Sequence, residues 1–196
     1  MDAREARGLD WLALYVRVQG LRDRVATRLF ARSFASFGVG CRLQLPLQVG
    51  NPRGIAIGDS VLIGPGCLLH AEDDAEVRLA IGDRTMITGY SVLSAAVSVR
   101  LGQSVLIGRG VHVTDHNHGR SDAGIPVRDQ ALDDLAPVEI GDGAWLAEHV
   151  VVLPGVRIGR GAVIGAHAVV RDDVPDRSVA VGAPARVVAE LDREAR

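Results

Sequence analysis

Three of the chain's six histidines fall within the stretch VHVTDHNHGR, Val111 to Arg120, beside an aspartate and an asparagine. Residues of these types can hold a metal, supply a general base with its helpers, or form a polar corner without chemistry. A neutral imidazole suits work on an alcohol, which is a poor nucleophile until a base takes its proton. Which reading holds depends on the backbone that presents the cluster.

That backbone follows a period of six. From Ile57 an aliphatic residue or alanine recurs at Ile63, Leu69, Ala75, Ile81, Ile87, Leu93 and Val99. A shifted frame runs Leu101, Ile107, Val113, and a third runs Ile140, Leu146, Val152, Ile158, Ile164, Val170. Small or branched residues such as Cys67, Val111 and Ala162 stand four places further on. Six is no helix period. It is a short strand, alternating in and out, plus a corner turned by Gly, Asp-Gly or Arg-Gly. Strands that stack coil upon coil make a parallel solenoid, and hexapeptide repeats are a signature of the β-helix. With first and fifth positions inward, Asn117 is expected inside its coil and His116 at the corner, facing out. The same frame puts Asp73, in HAEDDAEV, at an inward position and predicts a distorted coil there. Between Val113 and Ile140 the frame is broken by DHNHGRSDAGIPVRDQALDDLAP, a polar insertion that starts at the histidines. Long irregular loops in compact domains are functional or disordered, and this starting point favours function.

Ahead of the repeats, Trp11, Leu14, Tyr15, Val18, Leu21, Val25 and Leu29 fall at helical spacing between about Asp10 and Phe37, with a possible break near Gly20. Arginines at 17, 22, 24, 28 and 32 occupy much of the remainder. The apolar stripe is expected to pack on the protein or a neighbouring subunit. Weak peripheral contact with anionic membrane is the other use of a basic amphipathic helix. The chain thus divides into a helical segment (1–40), a β-helix domain (41–188) with its inserted loop (115–138), and a tail (189–196).

Composition fits this division. A chain of 196 residues suits one domain with a real core. Aromatics make up only 4%, so that core must be aliphatic, and a formal net charge of −2 offers no global basic field to nucleic acid. No apolar run approaches the ~20 residues of a membrane span. The opening MDAREARGLD shows no signal peptide, and Cys41 and Cys67 form no CxxC pair. A cytoplasmic protein with reduced thiols is expected.

VTDHNHG, the inserted loop, PVEIGDGAWLAEHVVVLPGVRIGRGAVIGAHAVV and VAVGAPARVV together resemble the hexapeptide-repeat acyltransferases. Within that family the likeness is to the O-acetyltransferase branch of the maltose, galactoside and polysaccharide enzymes, and it covers about Leu45 to Val188. It implies an all-β, left-handed parallel β-helix, against the usual right-handed crossover rule. It also implies a homotrimer with active sites between subunits, acetyl-CoA as cosubstrate, no metal, and a sugar or glycan acceptor. His116 aligns with the catalytic base. Asp115 is a candidate to fix its tautomer, although adjacent side chains on a strand point apart. His118 is the rival base and otherwise, with Asn117 and His149, a candidate for binding the acceptor. Trp145, Ala166, Arg171 and Arg186 fall at positions that meet CoA. There Trp145 shields the reacting centre, Ala166 admits the pantetheine arm, and Arg186 brings a permanent charge to the nucleotide phosphates. Arg171 stands where Thr or Lys is frequent. Two other readings remain: a zinc γ-carbonic anhydrase-like enzyme using His112, His116, His118 and His149, and a β-helix scaffold without catalysis.

Overall fold

The computed structural model describes residues 10–191; the first nine residues and most of the expected tail, 192–196, lie outside it. From Ser36 onward, strands of two to five residues stack in parallel on three faces. Face 1 carries Ser36–Phe37, Ile55–Ile57, Leu79–Ile81, Val99–Leu101, Val138–Ile140 and Arg157–Ile158 in that spatial order. Face 2 runs from Arg42–Leu43 through Leu106–Ile107 and Trp145–Leu146 to Ser178–Val181, and face 3 from Leu47–Gly50 through His112–Thr114 to Val169–Val170. Strands of successive coils pair in parallel on each face, and Arg186–Glu190 closes face 2 antiparallel to Ser178–Val181. The result is the expected left-handed parallel β-helix, of about 7 turns.

The interior is the aliphatic column that the hexads predict. From Ile140 to Val174 every first and every fifth position is buried, Ile140, Ala144, Leu146 and Val150 among them. Interior hydroxyls are satisfied by the next coil: Thr85 Oγ1 donates to Gly102 O at 2.9 Å and Ser91 Oγ to Gly108 O at 3.1 Å. At one corner Gly110 takes φ +69°, and a Cβ there would meet His149 Nδ1 at 2.5 Å. The glycine is therefore needed twice, for its backbone and for its missing side chain. His149 in turn stacks on His167, ring centroids 5.0 Å apart.

Two expectations change. Ala75 is exposed rather than inward, and Asp73 is not a core residue. Ile57 pairs directly with Ile81, so the residues between them make one long coil that bulges around 72–78. Asp73 Oδ2 there accepts from Arg78 Nη2 at 3.0 Å.

The second change concerns helix α1, Trp11–Phe30, which runs unbroken through Gly20. It does not bury its apolar stripe on the solenoid; its buried residues are Asp23, Ala26 and Thr27. The reason lies in the partner. The first coil ends in an open strand edge whose N–H groups need acceptors, which an apolar face cannot offer. Thr27 Oγ1 accepts from Leu43 N at 2.9 Å, and Asp23 Oδ1 from Leu45 N at 3.3 Å.

The three faces also differ on the outside. Face 1 presents Arg100, Glu139 and Arg157, the last two 3.4 Å apart as an ion pair. Face 2 presents Met86, Leu106 and Trp145 in adjacent coils, all exposed. On face 3 the row is Val92, His112, Val151 and Val169, half-buried. Among the described residues no helix is long and apolar enough to cross a membrane.

Candidate functional site

The strand His112–Thr114 ends in a bend at Asp115, and there the hexad register gives way. Asn117 is not the inward residue, as the repeat predicts. Asp115 goes inside instead, fully buried, two residues early. Its carboxylate reaches the corner turn of the preceding coil. Oδ1 accepts from Ala96 N at 2.8 Å, while Oδ2 accepts from Val97 N at 2.7 Å and Ser98 N at 2.6 Å. Three backbone donors thus satisfy an acid that could not otherwise be buried.

The same Oδ1 lies 2.8 Å from His116 Nδ1. Neighbouring side chains on a strand point apart, but these two sit on a bend and meet. Because both Asp115 oxygens already accept backbone hydrogens, the pair is completed by Nδ1–H of the imidazole. In the neutral ring Nε2 then carries the lone pair, which is the arrangement a general base needs. Thr114 Oγ1 steadies the arrangement, donating to His116 O at 3.0 Å.

The insertion leaves the solenoid at Asp115 and returns at Ala136, where Ala136 N donates to Asp115 O at 2.9 Å. Inside it, Asn117–His118 pairs antiparallel with Leu132–Asp133. Asn117 Nδ2 and Arg120 Nη2 both donate to Asp134 Oδ2, at 3.0 and 2.8 Å, and these two bonds hold the Asp134 carboxyl below its usual range. Asn117 therefore braces the loop, while His118 is exposed on it.

His112 lies in the outward row of face 3 between Val92 and Val151. Burial first, and then the charge of nearby His116, push its imidazole below the ordinary value of 6.5. The unfolded chain then takes up the proton more readily than the folded one. This contribution to stability is whole above about pH 6.5 and is lost as pH falls below it. The thermal midpoint of His112→Val, whose side chain suits this row, should accordingly fall less between pH 7 and pH 5 than that of the parent. Parallel melting curves across that range check it.

The remaining candidates are dispersed in one chain. Trp145 projects from face 2, Ala166 is exposed at the corner between faces 2 and 3, and His149 stands at that same corner one coil away. Arg171 and Arg186 converge on one carboxylate: Asp172 Oδ2 is 2.9 Å from Arg186 Nη1 and 3.6 Å from Arg171 Nε. So the structure joins Asp115 to His116, and Arg171 to Arg186. It leaves His116, at the far end of face 3, on a different side of the solenoid from Trp145. Histidines 112, 116, 118 and 149 do not converge either, and the described residues hold no group of three or more His, Cys, Asp or Glu side chains placed for a metal.

Sequence reasoning missed Arg78. Two of its nitrogens bind Asp73 and Glu76, at 3.0 and 2.8 Å, while its buried Nε has no partner among the described residues. It also lies close enough to Asp115 to feel its charge. The signal was the single arginine that closes the acidic run EDDAEVR.

A model of the bacterial transferase hexapeptide (six repeats) matches residues 137–172. A putative lipopolysaccharide biosynthesis O-acetyl transferase of Escherichia coli is 33% identical over 184 residues, covering 90% of this chain and 89% of that protein. A probable acetyltransferase of Mycobacterium tuberculosis is 34% identical over 179 residues, 91% of this chain but only 57% of that longer protein. Among solved structures, a variant of AntD, an N-acyltransferase from Bacillus cereus, bound to dTDP-4-amino-4,6-dideoxyglucose and coenzyme A, superposes with a TM-score of 0.73. That match covers 86% of this chain and 90% of AntD at 22% identity. A hexapeptide-repeat acetyltransferase of Vibrio cholerae complexed with acetyl-CoA gives a TM-score of 0.64 at 24% identity, covering 94% and 92% of the two chains. At these identities the structural matches speak for the fold.

Proposed function

This chain belongs to the hexapeptide-repeat acyltransferase family, and on that premise we propose that it transfers the acetyl group of acetyl-CoA to a hydroxyl of a sugar or surface-polysaccharide precursor. The observation that carries the reading is the Asp115–His116 pair, held at the mouth of the insertion with Nδ1 against the carboxylate. In the proposed step Nε2 takes the proton of the acceptor hydroxyl as its oxygen attacks the thioester carbonyl. The tetrahedral intermediate collapses, the C–S bond breaks, and the thiolate of CoA leaves with the proton that His116 held. Asp115 keeps the imidazole oriented and offsets its transient positive charge. The hydroxyl acceptor fits the E. coli relative, which is named for O-acetylation in lipopolysaccharide biosynthesis.

A homotrimer with active sites between subunits is part of the proposal. Faces 2 and 3 carry mainly apolar outer rows, exposed on face 2 and half-buried on face 3, while face 1 is charged. Apposing face 2 of one subunit to face 3 of its neighbour buries both rows. That apposition also brings Trp145 of one chain toward the His116 end of another, which no single chain achieves. CoA is then read as lying in the seam, with Trp145 over the reacting centre and Ala166 beside the pantetheine arm. Arg171 and Arg186 are read as the contacts for its phosphates. Asn117, His118 and His149 are read as lining the acceptor side, and the protein as cytoplasmic.

Calorimetric titration with acetyl-CoA, followed by a thiol-release assay over a panel of sugar acceptors, tests the reading. Saturable binding near one site per subunit and acceptor-dependent thiol release are expected; absence of binding would overturn it. Arg186→Ala should weaken acetyl-CoA binding about tenfold, the value of one charge-assisted contact, without changing the rate at saturation. An unaltered affinity would remove Arg186 from the site.

A further inference from the structure

The outward surface of α1 is not used by the transfer step proposed above. Asp23, Ala26 and Thr27 dock the helix on the first coil, and Arg22 Nη2 donates to Leu45 O at 2.9 Å. On the opposite side Trp11, Leu14, Val18, Leu21, Val25 and Leu29 follow one another at intervals of three and four residues, each between 42% and 73% exposed. That spacing makes one continuous stripe along the helix. Exposed Arg17, Arg24 and Arg28 run along one edge of it, and Arg22 lies across the stripe from them. The acids give no balance. Within the helix the one carboxylate is Asp23, which is buried and bonded to Arg22 and Leu45.

This charge pattern selects the partner. If two copies of the helix met along the stripe, the flanking arginines would face arginines and repel. A surface that is apolar within and negative at its margin suits both parts at once. Trp11 and Tyr15, each with an apolar body and a polar tip, sit at one end of the stripe, as side chains of the water–lipid boundary do. The helix is also too polar to cross a bilayer, so it would lie along one.

We propose that α1 docks this protein on anionic lipid bilayers, with the stripe in the acyl boundary and the arginines on phosphate headgroups. The solenoid then stands on the membrane by its first coil. The docking is independent of the transferase reading and is tested without turnover.

The full-length protein is floated with phosphatidylcholine vesicles, with and without phosphatidylglycerol, at low and high salt. Binding should require phosphatidylglycerol and weaken at least about tenfold as salt screens the arginines. Leu21→Glu and Val25→Glu alter positions on the exposed stripe, away from the buried Asp23, Ala26 and Thr27. Each should cut binding by about tenfold or more, with the melting temperature and acetyl-CoA affinity unchanged. No association with anionic vesicles at low salt would overturn the proposal. So would wild-type binding that survives both substitutions, or helix-dependent self-association, abolished by Leu21→Glu, in place of vesicle binding.

Discussion

Replacing His116 with alanine is expected to lower kcat by about 10³-fold, the usual worth of a positioned general base. Acetyl-CoA affinity should hardly change, because the imidazole is read as facing the acceptor hydroxyl rather than the donor. The fold should survive as well. Asp115 retains its three backbone donors when the ring is removed, so the buried carboxylate keeps most of its partners. His118→Ala provides the comparison. His118 is exposed on the inserted hairpin, and its loss should raise KM for the acceptor with kcat nearly intact. Single-turnover measurements with saturating acetyl-CoA separate the two variants. Unchanged turnover in His116→Ala, or the larger fall in His118→Ala, would end the assignment of His116 as base.

How far the sequence could be read depended on what each residue packs against. The coils from Ile140 to Val170 follow an unbroken hexad, and every inward residue there is where the period puts it. In the earlier coils the period misleads in an instructive way. Because Ile57 pairs with Ile81, the long coil between them spans four hexads, and the count survives a bulge. Ala75 kept the rhythm by coincidence of length while lying in the solvent. At Val113 the opposite happens. The frame extends to Asn117, but Asp115 takes the interior because the corner turn Ala96–Ser98 offers it three N–H groups. Those donors belong to another coil, nineteen to seventeen residues away in sequence, and no periodicity reveals them.

Helix α1 shows the same limit. Its existence was legible in the spacing of its apolar residues, yet the face that docks was not. An apolar stripe is expected to be the buried one wherever the partner surface is apolar. Here the partner is a strand edge, whose needs are those of hydrogen bonding, and Thr27 and Asp23 meet them. The scattering of Trp145, Ala166 and His116 over different faces was equally invisible to motif spacing. Spacing orders residues along the chain, whereas a three-faced coil sends neighbouring hexads in different directions.

The aspartate beside the base allows stability and chemistry to be pulled apart. Asp115→Ala leaves the N–H groups of Ala96, Val97 and Ser98 buried without acceptors and is expected to destabilise the protein by about 3–5 kcal/mol. Urea unfolding monitored by circular dichroism measures it. Asp115→Asn should behave differently. Its carbonyl can keep the Oδ2 position and accept from Val97 and Ser98, which leaves the amide group at the Oδ1 position. There it faces one donor, Ala96 N, and one acceptor, His116 Nδ1. Only Ala96 N–H loses its partner, so the stability cost falls to about 1–3 kcal/mol. The amide hydrogen, however, now donates to Nδ1, which places the ring proton on Nε2 and removes the lone pair that accepts the substrate's proton. Asp115→Asn should therefore lose about 10³-fold in kcat, close to the loss in His116→Ala, while remaining folded. A double variant lacking both groups should be scarcely slower than either single one, since each already removes the same base. If Asp115→Asn instead kept most of its turnover, the acid would be a clasp for the preceding coil and nothing more. The orientation of His116 would then have to come from Thr114 alone.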